Sequence, residues 1–574
     1  MESHSITTRV SPRRNGNGLL ALLDYATASH ARAVAMLVVV ALLTFLPGFF
    51  QIAPVDRDEA RFAQATKQMV ETGDYVDIRF QDEVRYKKPV GIYWLQAAAV
   101  NTAQALGVHD AKTTIWLYRL PSLFAAIGAV LLTYWTALAF VSRRASVIAA
   151  VMMASSIMLG IEARLAKTDA VLLFTTLAAM GAMARAYLAE RRSLGLVPGW
   201  RLPAIFWTAL AAGFLIKGPL IVMFVGLPAI ALGILDRSLR WMRLLRPLTG
   251  ILWMIVLVLP WFIAIVLKAG DSFFEESLGH DMLAKVASSQ ETHGAPPGYY
   301  FALFWVTFWP AATLAGLAVP AIWKARREPG AQFLLAWIIP SWVVFEAVVT
   351  KLPHYVLPLY PAIAILIAGV LSPDNLAKRP WMVRGTIWWF IFPVLIGAAA
   401  ITGFVMVGHQ LGFFAWPFAA AAVICGLFAW RLYDVDGAER SLLRASLASL
   451  FVSVTVYALT FPALPALFPS AQIVDALRNP GCKQPQYVAA GYQEPSLVFL
   501  LGTDLRFTDG GSAAEWLRQG TCRFAVLDRP SERSFVQRAQ AIGLRYAPGP
   551  RVEGYNISIG RPVTLSVYRS EDTP

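Results

Sequence analysis

The chain has 574 residues and carries 50 Lys+Arg against 36 Asp+Glu, a formal net charge of +14, yet only 15% of it is charged and 57% is hydrophobic. Soluble domains carry about 25% charged residues, so that class is excluded, and 33 Phe, 19 Trp and 18 Tyr with only 3 Cys exclude a disordered chain or a disulfide scaffold. What remains is a polytopic α-helical membrane protein whose basic excess must be sorted by side of the membrane.

In chain order, a polar arm over residues 1–32 comes first, with Arg9, Arg13, Arg14 and Arg32. It is too long and too basic for a cleavable signal and reads as cytoplasmic. Runs of about 20 apolar residues, the length that crosses a bilayer, then predict spans at 33–50, 115–140, 145–160, 170–188, 203–216, 219–235, 248–267, 299–323, 331–349, 356–371, 385–407, 413–430 and 445–468. The expected count is about thirteen, and residues 33–468 form the membrane domain.

Residues 90–108 decide the topology. They are fairly apolar but are interrupted by Gln96, Asn101 and Gln104, and Pro89 is placed to start a helix. If they lie along the outer interface rather than crossing, the basic loops at Arg143-Arg144, Arg191-Arg192-Arg201, Arg237 to Arg246, Lys324 to Arg327, Lys378 to Arg384 and Arg431 to Arg444 all fall on the side of the basic N-terminus. The first loop (51–114), the loop 268–298, the short loops around Asp169, Lys217 and Lys351, and the tail are then outside.

That outer side keeps cations against the bias: Arg57, Arg61, Arg85, Lys87, Lys88, Arg164, Lys167, Lys217 and Lys351. Such cations suit anionic partners at the membrane surface, although headgroup anchoring by snorkelling side chains accounts for many of them. The tail, 469–574, is richer in Gly, Pro and charge. Its pattern predicts a small α/β domain: helix 470–478, strand 497–501, helix 513–518, strand 523–528, helix 533–542, then strands through Tyr568. Cys482 and Cys522 lie in it and can pair if the outside is an oxidising periplasm.

Five clusters on the outer side carry the chemistry. The first loop opens with Asp56-Arg57-Asp58-Glu59-Ala-Arg61-Phe62, and Phe62, Ala65, Met69 and Val70 recur at helical spacing up to Gly73, predicting an amphipathic helix lying on the membrane. Acids at its start also cap it and favour its dipole, and Asp58 with Arg61 reads as an i,i+3 pair. Arg85-Tyr86-Lys87-Lys88-Pro89 follows, then Glu162-Ala-Arg164-Leu-Ala-Lys167-Thr168-Asp169, where a carboxylate at the entry to an apolar helix is expected to face a protein cavity. Ile216-Lys217-Gly218-Pro219 makes a tight turn between spans, and Thr350-Lys351-Leu-Pro-His354-Tyr355 stands at another outer mouth.

Taken in order, DRDEARFAQA, RYKKPVGIYWLQA, EARLAKTDA, LIKGP and KLPHYVLPLYP resemble the signatures of the protein-O-mannosyltransferase-like branch of GT-C glycosyltransferases, closest to the bacterial lipid A 4-amino-4-deoxy-L-arabinose transferases. The resemblance runs from about residue 33 to about residue 370 and implies a GT-C type fold with its active site on the periplasmic side of the inner membrane. It implies transfer of a sugar, 4-amino-4-deoxy-L-arabinose, from an undecaprenyl-phosphate donor to lipid A phosphate. A prenyl chain, stabilised in the bilayer by about 0.8 kcal/mol per buried CH₂, keeps such chemistry at the membrane surface.

By the same resemblance Asp58 matches the catalytic carboxylate of the first loop, with Asp56 as its rival. Asp169 is the second catalytic candidate, to fix the acceptor, hold the sugar amine or bind a metal. Arg61, Lys88 and Lys217 are expected to hold the donor phosphate, and Tyr86, Lys351, His354 and Tyr355 to line the substrate site. Where lipid A transferases often carry an acid before the matched lysine, this chain has Lys87. The expected partners are the lipid-linked donor, lipid A and membrane lipids, with no nucleic acid. No cofactor is required; a divalent metal is admitted by His280, His293, His354 and the outer carboxylates, but no HExxH or paired His/Cys spacing occurs. The same chemistry on a protein hydroxyl or another envelope glycan is the first alternative. A lipid transporter is the second, and the absence of an internal repeat argues against it.

Overall fold

Helices account for most of the chain, as an apolar solvent demands when every backbone group must be satisfied internally, and single charges stand inside some of them, Arg119 in Ile115–Ala137 and Arg185 in Asp169–Arg191. The computed structural model describes residues 18–192, 199–270, 273, 294–371, 375–478 and 481–571; Arg9, Arg13, Arg14, His280 and His293 lie outside the described residues.

Among the described residues seven helices are long and apolar enough to cross a membrane, and eight if one bent pair counts as a span. They include Ile115–Ala137, Asp169–Arg191, Pro247–Ala269 and Pro329–Ala347. The other expected spans are also helical but short: His30–Phe45, Arg201–Lys217 and Leu220–Asp236 have 16, 17 and 17 residues. At 1.5 Å per residue such helices cover about 25 Å of a hydrocarbon core of about 30 Å. The expected span 145–160 is broken at Ser155 and Ser156 into Arg143–Ala154 and Ile157–Glu162, and the run 299–323 bends by 117° between Tyr299–Thr307 and Ala312–Ala325.

Composition sorts these helices into centre and periphery. Asp169–Arg191, rich in Ala, has 83% of its apolar window buried, whereas the Leu-, Ile- and Val-rich Pro247–Ala269 has 22%. Small residues let helices approach closely in a bilayer. A Cβ on Gly181 would come within 2.3 Å of the Trp135 ring.

The first loop folds as two helices, Asp58–Thr72 and Gly91–Ala105, around a hairpin of β1 (Arg79–Phe80) and β2 (Glu83–Val84). Within residues 90–108, Gly91–Ala105 form a single helix of 15 residues. The helix there packs against the outer end of Arg201–Lys217, so closely that a Cβ on Gly91 would lie 2.7 Å from the Leu215 carbonyl oxygen.

The helix Asp58–Thr72, expected to lie on the membrane, is buried in protein along much of its length. Two of its polar positions, Gln64 and Lys67, meet the tail domain, and a third, Thr66, meets the helix Gly91–Ala105. Lys67 Nζ donates to the Phe499 carbonyl at 2.8 Å, Gln64 Nε2 donates to Thr503 Oγ1 at 2.9 Å, and Thr66 Oγ1 donates to Gln96 Oε1 at 2.6 Å. A period of 3.6 shows that a helix has two faces; it does not say whether the second face meets water or another domain.

The tail is a five-stranded sheet in the order β4 (Arg506–Thr508), β3 (Gln486–Ala490), β5 (Arg523–Asp528), β7 (Arg561–Ser570), β6 (Tyr546–Asn556). β3 runs parallel to β4 and β5, and β7 runs antiparallel to β5 and β6. The expected strand at 497–501 is instead part of a helix, Pro495–Leu501, with proline in its first turn. This run is buried on all sides, so apolarity alone does not distinguish strand from helix. Cys482 and Cys522 are joined by a disulfide, with Cα atoms 5.9 Å apart.

Candidate active site

The site is built around a saturated ion pair. Arg119, one turn into Ile115–Ala137, donates through Nε to Glu59 Oε1 and through Nη2 to Glu59 Oε2, both at 2.8 Å, with each side chain 1% exposed. Its remaining donors reach the carbonyls of Phe49, Ile52 and Ala53 at 3.2, 2.8 and 3.1 Å. Glu59 in turn accepts the Val55 N–H at 2.9 Å and the Ala166 N–H at 2.8 Å. The planar fork of arginine matches a carboxylate and leaves neither group unsatisfied. One acid of the Asp58-Glu59 pair is thereby consumed in fastening the loop to the membrane domain.

Asp58, about 100° further round the helix start, faces the cavity instead. Its side chain is exposed. Burial pushes its pKa up, but Lys167 foremost, with Arg85 and Arg61, pulls it below the ordinary carboxylate value. Asp56 turns toward the tail, accepting the Ser496 N–H at 2.8 Å and its hydroxyl at 2.6 Å. Burial pushes its pKa up to about 7 in spite of those two donors.

The opposite wall comes from the helix ends that carry Asp169 and Lys217 and the segments beside them. Asp169 opens its helix, where a carboxylate favours the dipole, and accepts from Lys217 Nζ at 2.5 Å; Lys217 is the last residue of Arg201–Lys217 and is turned by Gly218 at φ +65°. Lys167 Nζ stands 3.1 Å from Glu162 Oε1 and 4.0 Å from Asp169 Oδ2. Burial pushes the Lys167 ammonium down, and Glu162, Asp169 and Asp58 more than reverse that, so it stays charged. His354 places Nε2 3.5 Å from Asp169 Oδ1 and Nδ1 3.6 Å from Glu162 Oε1. Tyr355 lays its ring 5.4 Å from Lys217 Nζ.

These walls enclose a cavity of about 420 Å³. Around it Arg57, Arg61, Arg85, Lys87, Lys88, Lys167 and Lys217 outnumber the carboxylates Asp56, Asp58, Glu59 and Asp169. A concave surface of one dominant sign with apolar walls concentrates anions. Of the residues expected from sequence, Asp58, Asp169, Arg61, Lys88, Lys217, His354 and Tyr355 line this one cavity.

Two expected substrate contacts lie elsewhere. Tyr86 is buried beneath the loop, its hydroxyl donating to Asp77 Oδ1 at 2.7 Å and its ring packed on Phe273. Lys351 is 3% exposed and donates to the Ala295 carbonyl at 3.0 Å and the Val348 carbonyl at 2.5 Å, closing its own loop. An aromatic and a lysine at an interface fit anchoring as well as binding, and composition does not separate the two.

Lys167 and Arg85, named among the outer cations but given no role in the site, also line the cavity; Arg85 Nε is buried with no hydrogen-bond partner. Their signal was their place within the same short clusters. Ile557 and Ser558 of the tail also line it, and nothing in their local sequence marks them.

Glu162, Asp169 and His354 bring one ligand atom each to within 4.8 Å of one another, a donor set that suits a divalent cation. Lys167 and Lys217 stand at the same carboxylates and already compensate their charge.

The chain is similar to known proteins in sequence and in fold. Residues 33–271 match the family model of dolichyl-phosphate-mannose-protein mannosyltransferase. The undecaprenyl phosphate-alpha-4-amino-4-deoxy-L-arabinose arabinosyl transferase of Pectobacterium carotovorum subsp. carotovorum (strain PC1) is 27% identical over 364 residues, and the match covers 62% of each chain. That of Edwardsiella ictaluri (strain 93-146) is 26% identical over 416 residues, 71% of each. The match thus spans a little under two thirds of the Pectobacterium relative's length.

In three dimensions the chain superposes on crystal structures of ArnT from Cupriavidus metallidurans. The apo state gives a TM-score of 0.69, covering 93% of this chain and 97% of ArnT. The state bound to undecaprenyl phosphate gives 0.70, covering 94% and 98%, both at 19% identity. The chain has the GT-C fold of ArnT, with a small C-terminal sheet domain, and is related in sequence to the arabinosyl transferases.

Proposed function

We propose that this chain is an integral-membrane glycosyltransferase that moves 4-amino-4-deoxy-L-arabinose from an undecaprenyl-phosphate donor to a lipid A phosphate at the outer face of the bacterial inner membrane. One observation carries the reading: Asp58 and Asp169 share a cation-rich cavity at the outer ends of the spans, where the phosphate of a lipid-linked sugar comes to rest while its prenyl chain stays in the bilayer. The names of the relatives support the sugar and the carrier.

In this reading an oxygen of the acceptor phosphate attacks the anomeric carbon as the bond from that carbon to the prenyl phosphate breaks, so the sugar is transferred with inversion. The electron pair of the broken bond leaves on the prenyl phosphate, and Arg61, Lys88 and Lys217 stabilise it where they already stand. An acceptor phosphate is ionised at neutral pH, so Asp58 serves chiefly to orient the sugar and acceptor rather than to remove a proton. Asp169, held by Lys217, fixes the position of that ammonium and offers its second oxygen to the sugar amine. The transfer needs no divalent cation, because the ammonium groups of Lys167 and Lys217 supply the positive charge a metal would bring.

The test is transfer by purified protein from undecaprenyl-phosphate-linked aminoarabinose to lipid A, read as one added pentosamine by mass spectrometry. Transfer to a protein hydroxyl with lipid A left unmodified would move the reading to the mannosyltransferase-like alternative, which the match over residues 33–271 favours.

A further inference from the structure

The tail domain hides its apolar side chains with one exception. Among its described residues the only large hydrophobics left exposed are Tyr555, Ile557 and Ile559, at 37%, 51% and 54%, all at the turn between β6 and β7. Three such side chains within five residues are not scattered surface apolarity, and a contiguous exposed patch marks a contact with something apolar.

The turn is held stiffly. Asn556 Oδ1 accepts the N–H groups of Ser558 and Ile559 at 3.0 and 3.4 Å, its Nδ2 donates to Glu494 Oε1 at 2.8 Å, and the Tyr555 hydroxyl donates to the Gly560 carbonyl at 2.7 Å. Its place is equally defined. On one side Ile557 and Ser558 line the cavity that holds Asp58 and Asp169. On the other, a Cβ on Gly554 would lie 2.8 Å from the Ala466 carbonyl, just beyond the outer end of the span Tyr433–Thr460. The turn therefore stands at the membrane surface between the bilayer and the active site.

We propose that this turn is an apolar sill for the lipid acceptor: Ile557 and Ile559 contact its acyl chains while its phosphate reaches the cations of the cavity. This rests on the glycosyl transfer proposed above and adds a residue-level account of why the acceptor should be a lipid. The argument for that occupant is continuity: one edge of the turn abuts the bilayer that carries acyl chains, and the other abuts cations suited to the phosphate of the same molecule. A water-soluble or protein acceptor would leave both isoleucines in water.

The experiment compares the wild-type chain with the variant I559S, whose position lies outside the cavity lining, in vesicles, using fully acylated and deacylated lipid A as acceptors. The expected result is a rise of about tenfold in KM for the acylated acceptor, with KM for the donor and for the deacylated acceptor at their wild-type values. An unchanged KM for the acylated acceptor, or an equal rise for both acceptors, would overturn the sill.

Photo-crosslinking from a benzoyl-phenylalanine at position 557 reads the contact without turnover. Capture of acylated lipid A from mixed vesicles supports the sill. Capture of bulk phospholipid that added lipid A does not reduce would instead identify a membrane anchor and overturn it. If wild-type protein transfers no sugar to any lipid phosphate, the proposed function fails, and the crosslink still decides whether the turn holds acyl chains.

Discussion

Arg119 grips both carboxylate oxygens of Glu59 at 2.8 Å in a pocket that excludes water, and the adjacent Asp58 owes its direction to that grip. Breaking a buried pair by removing one partner costs about 3–5 kcal/mol, because the other charge is left uncompensated. Glu59→Gln and Arg119→Met should each lower the unfolding temperature of the detergent-solubilised protein markedly. Both should also depress transfer although neither residue touches the reacting atoms. Wild-type stability in either variant would refute the structural role.

Asp58→Asn should reduce kcat for transfer by about a hundredfold or more with little change in unfolding temperature. Its folded pKa lies below the ordinary value, so whatever stability its ionisation contributes is present above about pH 4 and is lost only as pH falls through the lower, folded value. Between pH 5 and 9 Asp58 stays ionised, and the pH profiles of the wild type and of Asp58→Glu should share one shape over that range.

Asp56 behaves in the opposite sense. Its carboxyl titrates near 3.8 when unfolded and near 7 when folded, so between those values the folded chain holds a proton that the unfolded chain has lost. Stability is therefore fully present below about pH 4 and declines as pH rises toward 7, by up to about 1.4 kcal/mol per unit. Asp56→Asn should flatten that slope in thermal unfolding measured from pH 5 to 8, and an unchanged slope would count against the assignment.

Lys217→Met removes the partner of Asp169 as well as a cation for the departing phosphate. Activity should fall at least about a hundredfold, accompanied by destabilisation. The double variant K217M/D169N should recover stability, because no buried charge is left alone, without recovering activity. If the double variant regains transfer, the lysine is structural only.

Chelation gives the plainest test of the metal-free reading. Dialysis against EDTA should leave the transfer rate within about twofold of its starting value, since two ammonium groups already stand at Glu162 and Asp169. A rate lost on chelation and restored by a divalent cation would assign Glu162, Asp169 and His354 as its ligands.

The positions of the spans are legible in the sequence because apolar runs in a bilayer have few ways to fold. The outer clusters are legible too, because Arg61, Lys88 and Lys217 stand against the positive-inside bias. What local pattern does not convey is pairing across long separations. Glu59 looks as free as Asp58 until Arg119 is placed beside it, Lys351 looks as available as Lys217, and Gln64 and Lys67 look wetted until Thr503 and Phe499 cover them. The strand expected at 497–501 fails for a related reason: an apolar run buried on every side has no period to read.

The tail rests on the first loop through Asp56 and Ser496 and through Lys67 and Phe499, and it supplies Ile557 and Ser558 to the chamber that loop begins. The chamber is therefore opened by one of the first segments a ribosome makes and closed by one of the last. A chain whose strands β6 and β7 have not yet paired still lacks the wall that Ile557 and Ser558 give the chamber.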